Sequence, residues 1–408
     1  MTAGPPDAID SDSPIPGIPR NVFVLGLVSF AADISTEMLY PVLPIFLTTT
    51  LGTPVALVGV IEGIAEGTAN VSKVPAGWVS DQMPERRPLI AGGYGLAALG
   101  KLLLALSFVW PVALLARFTD RLGKGVRTSP RDALIADSST PEQRGRAFGF
   151  HRAMDTAGAV LGPLIGLAMV MAIGENHLRP IFALAVIPAV LSVVLVSLAR
   201  ERKRHVVEKK GERTKLDLSG APPGYWLLIG VSLLFAFGNS SDVFLLLRAK
   251  DLGLGLEAVI LVYVLYNVAY AALAFPAGIL ADRIAPRWVL VGGYVVFGLV
   301  YLGFALDNGS ALVWLLFPAY GIPLAMTEGV SKALVSNLVP ADRRGAFLGL
   351  HATAIGLTAV VASVLAGVLW DQVGPAAPFA LGAATGIAAA VLLAFIPARA
   401  LRLRSVAA

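Results

Sequence analysis

Pro75-Ala76-Gly77-Trp78-Val79-Ser80-Asp81 recurs in this chain as Pro276-Ala277-Gly278-Ile279-Leu280-Ala281-Asp282, 201 residues downstream. Each copy closes a long apolar run. Each leads into a short basic turn, Glu85-Arg86-Arg87 in the first and Arg283-Ile284-Ala285-Pro286-Arg287 in the second. A second echo lies at an offset of 200: Arg144-Gly145, Gly149 and His151 match Arg344-Gly345, Gly349 and His351. Two independent echoes at one spacing imply a duplicated half, because chance matches would not keep register.

Composition places the duplicate in a membrane. Of 408 residues, 56% are hydrophobic and 14% charged, against roughly 25% charged in a soluble domain. The charges gather in short clusters between apolar stretches. Each stretch can cross about 30 Å of hydrocarbon, which takes ~20 helical residues. An internally duplicated apolar chain is what a secondary transporter presents. With no cysteine, disulfides and thiolate metal sites are excluded. A pI near 9.4 would suggest nucleic acid for a soluble protein; here it reflects basic loops. Residues 1–20 hold Asp7, Asp10, Asp12 and several prolines and lack the pattern of a signal peptide.

Twelve spans are expected, at 21–48, 54–79, 88–109, 111–137, 146–173, 178–199, 224–248, 256–281, 288–306, 310–338, 345–370 and 375–397. This predicts an all-α membrane protein of two pseudo-symmetric six-helix bundles. The N-terminal tail covers 1–20, the first bundle 21–199, the linker 200–223, the second bundle 224–398 and the C-terminal tail 399–408. The linker carries Arg200, Arg202, Lys203, Arg204, Lys209, Lys210, Arg213 and Lys215. Positive residues mark the cytoplasmic side. Arg86, Arg87, Arg144, Arg146, Arg283, Arg287, Arg343, Arg344, Arg399, Arg402 and Arg404 fall on that same side, and the opposite loops hold little beyond Arg179, Arg248 and Lys250. Both termini are therefore expected inside a multi-pass cell membrane.

These residues resemble the major facilitator superfamily over about 20–398. Gly77-x-x-x-Asp81 with Arg86 and Arg87 is similar to the family's loop 2–3 signature, and Gly278-x-x-x-Asp282-Arg283 to its second-half copy. Arg117-Phe118-Thr119-Asp120 sits where the family places its fourth-helix arginine. Pro141-Glu142-Gln143-Arg144-Gly145-Arg146 resembles the loop 4–5 signature. Gly158-x-x-x-Gly162-Pro163-x-x-Gly166 is similar to the antiporter signature of the fifth span. Ordinary members carry small residues after the fourth-helix arginine. This chain instead runs Asp120-Arg121-Leu122-Gly123-Lys124-Gly125-Val126-Arg127-Thr128-Ser129-Pro130-Arg131-Asp132. That run resembles a prokaryotic efflux-type subgroup, some of whose relatives are linked to export of nickel or other metals. The resemblance implies transport by alternating access. It also implies a gating role for Gly77, Asp81, Arg86, Arg87, Arg144, Gly278, Asp282 and Arg283.

Charges inside a span cost about 2.5–3.5 kcal/mol each. Arg117, Asp120, Arg121, Lys124, Arg127, Arg131 and Asp132 fall within an arc of roughly 140° on one helix, so they cannot face lipid. Asp120 and Lys124 are i,i+4 and are expected to pair. Arg127, Arg131 and Asp132 read as bracing, and Arg117, Arg121 and Lys124 as facing a cavity. Asp33 and Glu37 share a face of the first span. Glu62, Glu66 and Lys73 lie within about 40° on the second. Apolar surroundings favour the protonated form of a carboxylate and a nearby cation favours the ionised form, so an acid that gains and loses a cationic partner can couple proton movement. His151 and Asp155, i,i+4, could relay a proton or hold a metal, or could brace a loop. The echo at His351 favours bracing, and no metal site is expected. Glu328 and Lys332 in the tenth span read as a self-neutralised i,i+4 pair. Gly158, Gly162 and Gly166 make a flat packing face, which Pro163 bends. Gly77 and Gly278 are expected to seat helix ends tightly.

No nucleophile–base set and no Walker A motif is present, so an enzyme is not expected. The expected function is secondary active transport, with proton-coupled export of a drug, metal ion or chelate ahead of an importer or uniporter. Expected partners are the small solute or ion, protons and membrane lipid. A cofactor and nucleic acid are not expected, and the state is read as monomeric.

Overall fold

The computed structural model describes residues 14–139, 144–175, 177–201, 222–339 and 344–397; the side chains of 144–146, 275, 282, 336 and 344–346 lie outside that description. Every regular element among the described residues is helical: α1 Arg20–Glu37, α2 Leu43–Ile45 (continued by a π-helical turn, Phe46–Thr50), α3 Val55–Gln82, α4 Arg87–Ala105, α5 Trp110–Asp137, α6 Arg144–Ile173, α7 Arg179–Val196, α8 Pro223–Gly238, α9 Val243–Asp251, α10 Leu256–Ile284, α11 Pro286–Leu306, α12 Val313–Leu338, α13 Arg344–Gln372 and α14 Ala377–Phe395. In hydrocarbon each backbone N–H and C=O must be satisfied within its own segment, and helices do this. Prolines in the first turn of α4, α5, α7, α8, α11 and α14 start helices where a missing N–H costs nothing. Ten segments are long and apolar enough to cross a membrane, α8 and α9 together counting as one. The expected first and fourth spans, α1 and α5, are not among them. They carry Arg20, Asp33 and Glu37, and the seven-charge stripe from Arg117 to Asp132. The chain is a multi-pass membrane protein, and the two helices outside those ten, α1 and α5, are the two that bear the candidate site.

Two compact units emerge. One comprises Met1–Gly52 with Thr68–Lys209, the other Thr53–Gly67 with Lys210–Ala408. The division falls inside α3, so Thr53–Gly67, expected in the first bundle, groups with the second unit. Most of the expected linker (200–223), the tail 399–408 and much of the tail 1–20 fall outside the described residues.

The units share a core plan. The first buries Val22, Leu25 and Val28 of α1 against Ile90 and Tyr94 of α4, Leu134 and Ile135 of α5, and Ala147 of α6. The second buries Tyr225, Leu228 and Val231 of α8 with Leu290 and Tyr294 of α11, Leu334 and Val335 of α12, and Phe347 of α13. The α1 residues map onto α8 at an offset of 203 and the rest at 200. The duplication seen in two motifs extends to the packed core.

Glycine sets the closest approaches. On α6, a Cβ at Gly158 would lie 2.8 Å from the Asp33 Cβ, one at Gly162 would lie 2.8 Å from Ile34 O and 3.0 Å from the Glu37 Cβ, and one at Gly166 would lie 2.7 Å from Met38 O. The expected packing face exists, and α1 is what lies on it. Helix α6 runs unbroken from Arg144 to Ile173 with Pro163 inside it. On α4, a Cβ at Gly100 would lie 2.7 Å from Ala116 O and 2.8 Å from the Asp120 Cβ, which brings α5 in as closely. Gly77 and Gly278 are not equivalent. A Cβ at Gly77 would meet the Ser129 Cβ at 3.3 Å, whereas one at Gly278 would meet nothing within 4 Å. The expected tight seat at Gly278 is absent. The residue matching Ser129 at an offset of 200 is Gly329, which offers no side chain.

This contrast fixes two opposite outcomes. Gly162→Val overpacks the α1–α6 seam and costs about 1–3 kcal/mol, lowering the melting temperature of the purified protein. Gly278→Ala, in open space within a helix, gains up to about 1 kcal/mol and does not lower it. Intrinsic tryptophan fluorescence on heating reads both; a neutral Gly162→Val or a destabilised Gly278→Ala would contradict the packing described.

Candidate functional site

Arg117, Asp120, Arg121 and Arg127 of the charged α5 stripe are buried, and the principal partner of Asp120 comes from another helix. Asp120 accepts from Lys101 Nζ of α4 at 2.8 Å and lies 3.7 Å from the Arg117 guanidinium. Lys101, Arg117, Asp120 and Arg121 are all buried. The expected i,i+4 partner of Asp120, Lys124, is exposed and leaves the pair to Lys101. The cause is tertiary. Gly100 lets the α4 backbone touch α5 at Asp120, and Lys101 is the next residue along. Lys101, Arg117 and Asp120 line a small pocket with Thr36, Leu39, Tyr40 and Leu43, where α1 ends and α2 begins. Lys101 was not singled out from the sequence. Its signal was present: it is the lone charge in the expected span 88–109, among Gly92, Gly93, Gly95 and Gly100.

A second polar knot centres on Ser29 of α1. Its hydroxyl lies 2.8 Å from His151 Nε2 of α6 and 3.3 Å from the Tyr94 hydroxyl of α4, and accepts from Arg131 of α5 at 3.1 Å. Arg131 also donates through two nitrogens to Asp132, at 3.0 and 2.9 Å. The Arg127 guanidinium sits 4.4 Å from the centre of the Tyr94 ring, a cation–π contact. His151 Nδ1 is 3.5 Å from Asp155. Arg127 and Arg131 thus link α5 to α4 and α1, and Asp132 holds the Arg131 guanidinium from the same helix. The second unit repeats the uncharged part of this knot: His351 Nε2 lies 3.2 Å from Ser232, which also bonds Tyr294.

The α1 carboxylates lie on the α6 seam. Asp33 and Glu37 present their Cβ atoms to Gly158 and Gly162. The charges that act on Asp33 come from Asp155, Glu37, Lys124 and Arg127, so α1, α5 and α6 bring one set of opposite charges together. Glu62 and Glu66 are on the part of α3 that groups with the second unit, and Lys73 on the part that groups with the first. Glu62 is buried, and Lys73 Nζ donates to Asn70 Oδ1 at 2.9 Å. The expected Glu328–Lys332 pair is not made. Tyr270 of α10 donates to Glu328, and both Glu328 and Lys332 are exposed. Close contact of α10 with α12 at Gly321, where a Cβ would lie 2.7 Å from Tyr270 N, puts the tyrosine in reach first.

Asp81 pairs with a basic residue of the turn that follows it. Arg86, buried, bonds Asp81 at the end of α3 at 3.0 Å and approaches Asp137 at the end of α5 at 3.3 Å. The Glu201 carboxylate, unforeseen in sequence, accepts from the backbone N–H of Arg86 and Arg87 at 2.7–2.8 Å. It satisfies the first orphan donors of α4 and faces the positive end of that helix. Arg87 reaches Ala199 O at 3.2 Å. One knot therefore joins the ends of α3, α4, α5 and α7. Arg283 is exposed. The side chains of Asp282 and Arg144 lie outside the described residues.

Removing one partner of a buried ion pair costs about 3–5 kcal/mol, while neutralising both is often tolerated. Lys101→Met is therefore expected to destabilise the protein by roughly 3 kcal/mol, and adding Asp120→Asn to recover most of the loss. Thermal unfolding in detergent measures it. A double variant no more stable than Lys101→Met would remove the pair from the account.

Comparison with known proteins follows the same line. The sequence profile of the Major Facilitator Superfamily matches residues 25–260 and 227–406. An uncharacterized MFS-type transporter of Methanocaldococcus jannaschii is 36% identical over 383 residues, covering 92% of this chain and 95% of its own. Multidrug resistance protein MdtH of Salmonella arizonae is 23% identical over 346 residues, 82% of each chain. A POT family transporter solved with 5-aminolevulinic acid superposes with a TM-score of 0.81 at 14% identity, over 97% of this chain and 99% of its own. A D-xylose–proton symporter does so at 0.74 and 16%, over 94% and 99%. A duplicated, all-helical membrane fold with charged first and fourth spans, matched in profile, relative and structure, has one assignment: the chain belongs to the major facilitator superfamily.

Proposed function

We propose that this transporter exports a small solute in exchange for protons by alternating access, with both termini on the cytoplasmic side of the cell membrane, twelve spans and a monomeric working state. One observation carries the reading. Asp33 and Glu37 stand on the glycine seam between α1 and α6, among charges of both signs, the cations Lys124 and Arg127 of α5 and the carboxylate Asp155 of α6. A seam without side chains lets one helix slide on the other, and sliding changes which cation each carboxylate faces. Proton uptake and release are thereby linked to helix position. Arg117, Arg121 and Lys124 supply the cations of the substrate path, with Lys101–Asp120 as its fixed wall. Glu62, Glu66, Asp155, Glu328 and Lys332 are secondary candidates. The Arg86 knot, with Gly77 and Asp81, braces the helix ends that open and close on the cytoplasmic side, and Arg87, Arg144, Gly278, Asp282 and Arg283 belong to the same gating regions. Gly158, Gly162, Pro163 and Gly166 form the antiporter-like element.

Export is favoured by the name of the distant relative, a multidrug resistance protein. The substrate class is a drug, a metal ion or a metal chelate. Import or uniport of a small organic solute is the second reading.

The test has two stages. Growth of deletion and overexpressing strains across Ni2+, chelators and antibiotics identifies the solute, with overexpression protective. Proteoliposomes then compare transport driven by a pH gradient with exchange down a solute gradient. Asp33→Asn or Glu37→Gln is expected to abolish the first mode while solute exchange persists. If both variants still concentrate solute on a pH gradient, the α1 carboxylates are not the coupling site.

A further inference from the structure

Glu328 and Lys332 are the only two charged residues of the span Val313–Val335. They stand one turn apart on α12, and both are exposed. Glu328 lies ten residues before the end of α12 at Leu338, about 15 Å along the helix axis, too deep for a glutamate to reach the headgroups. A charge at that depth is costly against lipid, so this face of α12 must meet water. Residues at i,i+4 of opposite charge ordinarily pair. Here neither makes an ion pair among the described residues. Tyr270 of α10 donates to the Glu328 carboxylate, and the close approach of α10 to α12 at Gly321 puts the tyrosine there. The Lys332 charge acts on His351 of α13, which is no acid.

The helix leaves room beside the two charges. Gly329 is exposed, and a Cβ on it would meet nothing within 4 Å. Ala333, one turn on, is exposed and small. Duplication adds an independent argument. At an offset of 200, Glu328 corresponds to Thr128 and Gly329 to Ser129. In the first unit this place is filled: the Thr128 hydroxyl bonds Lys124 O, the Ser129 hydroxyl bonds Lys73 O of α3, and Ser129 packs at Gly77. The second unit trades those small polar residues for an open surface with a carboxylate on it. The charges sit side by side, with Cβ atoms about 5–6 Å apart on a helix. A lone cation drawn to Glu328 is repelled by Lys332, and a lone anion drawn to Lys332 is repelled by Glu328. Only a ligand bearing both charges is attracted at each end.

We propose that Glu328 and Lys332 bind the two ends of a zwitterionic solute. The Glu328 carboxylate takes the ammonium of the solute, the Lys332 ammonium takes its carboxylate, and the space at Gly329 holds the chain between them. Tyr270 keeps the two side chains from closing on each other. The role in transport rests on the transporter reading above and narrows its solute to molecules with an amine and an acid, a class that includes amino acids and amino-carboxylate chelators.

Thermal unfolding of the full chain in detergent reads binding, because a ligand of the folded state raises the melting temperature. The probes are glycine, leucine, β-alanine and γ-aminobutyrate at millimolar concentration, with butylamine and butyrate as single-charge controls. At least one zwitterion is expected to raise the melting temperature, and both controls to leave it unchanged. Glu328→Gln and Lys332→Met each remove one charge and are expected to weaken that zwitterion by about tenfold or more, as loss of a hydrogen bond to a charged group does. Gly329→Leu keeps both charges, fills the open space and is expected to weaken it as well. All three positions are exposed, so the melting temperature without ligand holds and the loss is one of binding. The proposal is overturned if no zwitterion shifts the melting temperature, if butylamine or butyrate shifts it as much, or if the shift survives in the two charge variants. Binding in detergent involves no gradient, so failures are separable. A zwitterion shift without proton-coupled transport supports this site and counts against the exchange reading. Proton-coupled transport of a singly charged solute, with no zwitterion shift, overturns this site and leaves the exchange reading standing.

Discussion

A charge placed in hydrocarbon must find a partner, and in this protein glycine decides which partner it finds. Asp120 is neutralised by Lys101 because Gly100 removes the side chain that would hold α4 away from α5. Asp33 and Glu37 sit where they do because Gly158 and Gly162 let α6 lie against the α1 backbone. Each charge alone would cost a few kcal/mol in a span. The close approaches convert that cost into paired, directional contacts. The two helices that are too polar to read as ordinary spans, α1 and α5, are each closely approached by a glycine-bearing neighbour.

Duplication separates scaffold from function. Ser29, Tyr94 and His151 in one unit, and Ser232, Tyr294 and His351 in the other, make the same buried knot. A contact kept in both copies is what the bundle needs to hold together. What surrounds it differs. Arg131 and Asp155 stand where the second half has Ser331 and Ile355, and Asp33 where it has Ala236. The charges are additions to one copy of a shared frame, which is why they carry the functional reading.

The fold was legible because its signals are local or periodic. Apolar runs, basic turns and a repeat at a fixed offset survive without knowledge of packing. The Gly158–Gly162–Gly166 face was legible for the same reason, being a spacing on one helix. The ion pairs were not. The i,i+4 rule joined Asp120 to Lys124 and Glu328 to Lys332, whereas the fold joins them to Lys101 and Tyr270. Partner choice inside a bundle is decided by interhelical distance, which a single sequence does not print. Gly278 shows the converse: the motif was copied, but its neighbour changed from Ser129 to Gly329 and the tight contact went with it. Glu201 at the start of α4 lies 115 residues from Arg86 in sequence and left no local trace.

The central claim is that solute movement and proton movement are obligatorily linked in opposite directions. Proteoliposomes holding a pH-sensitive dye test it directly. With no imposed pH gradient, the solute found by growth screening is added to one side and the internal pH is followed. The account predicts that an inward solute gradient drives protons out and alkalinises the lumen, and that an outward gradient acidifies it. Solute flux with no change in internal pH, or protons moving in the same direction as the solute, would contradict it.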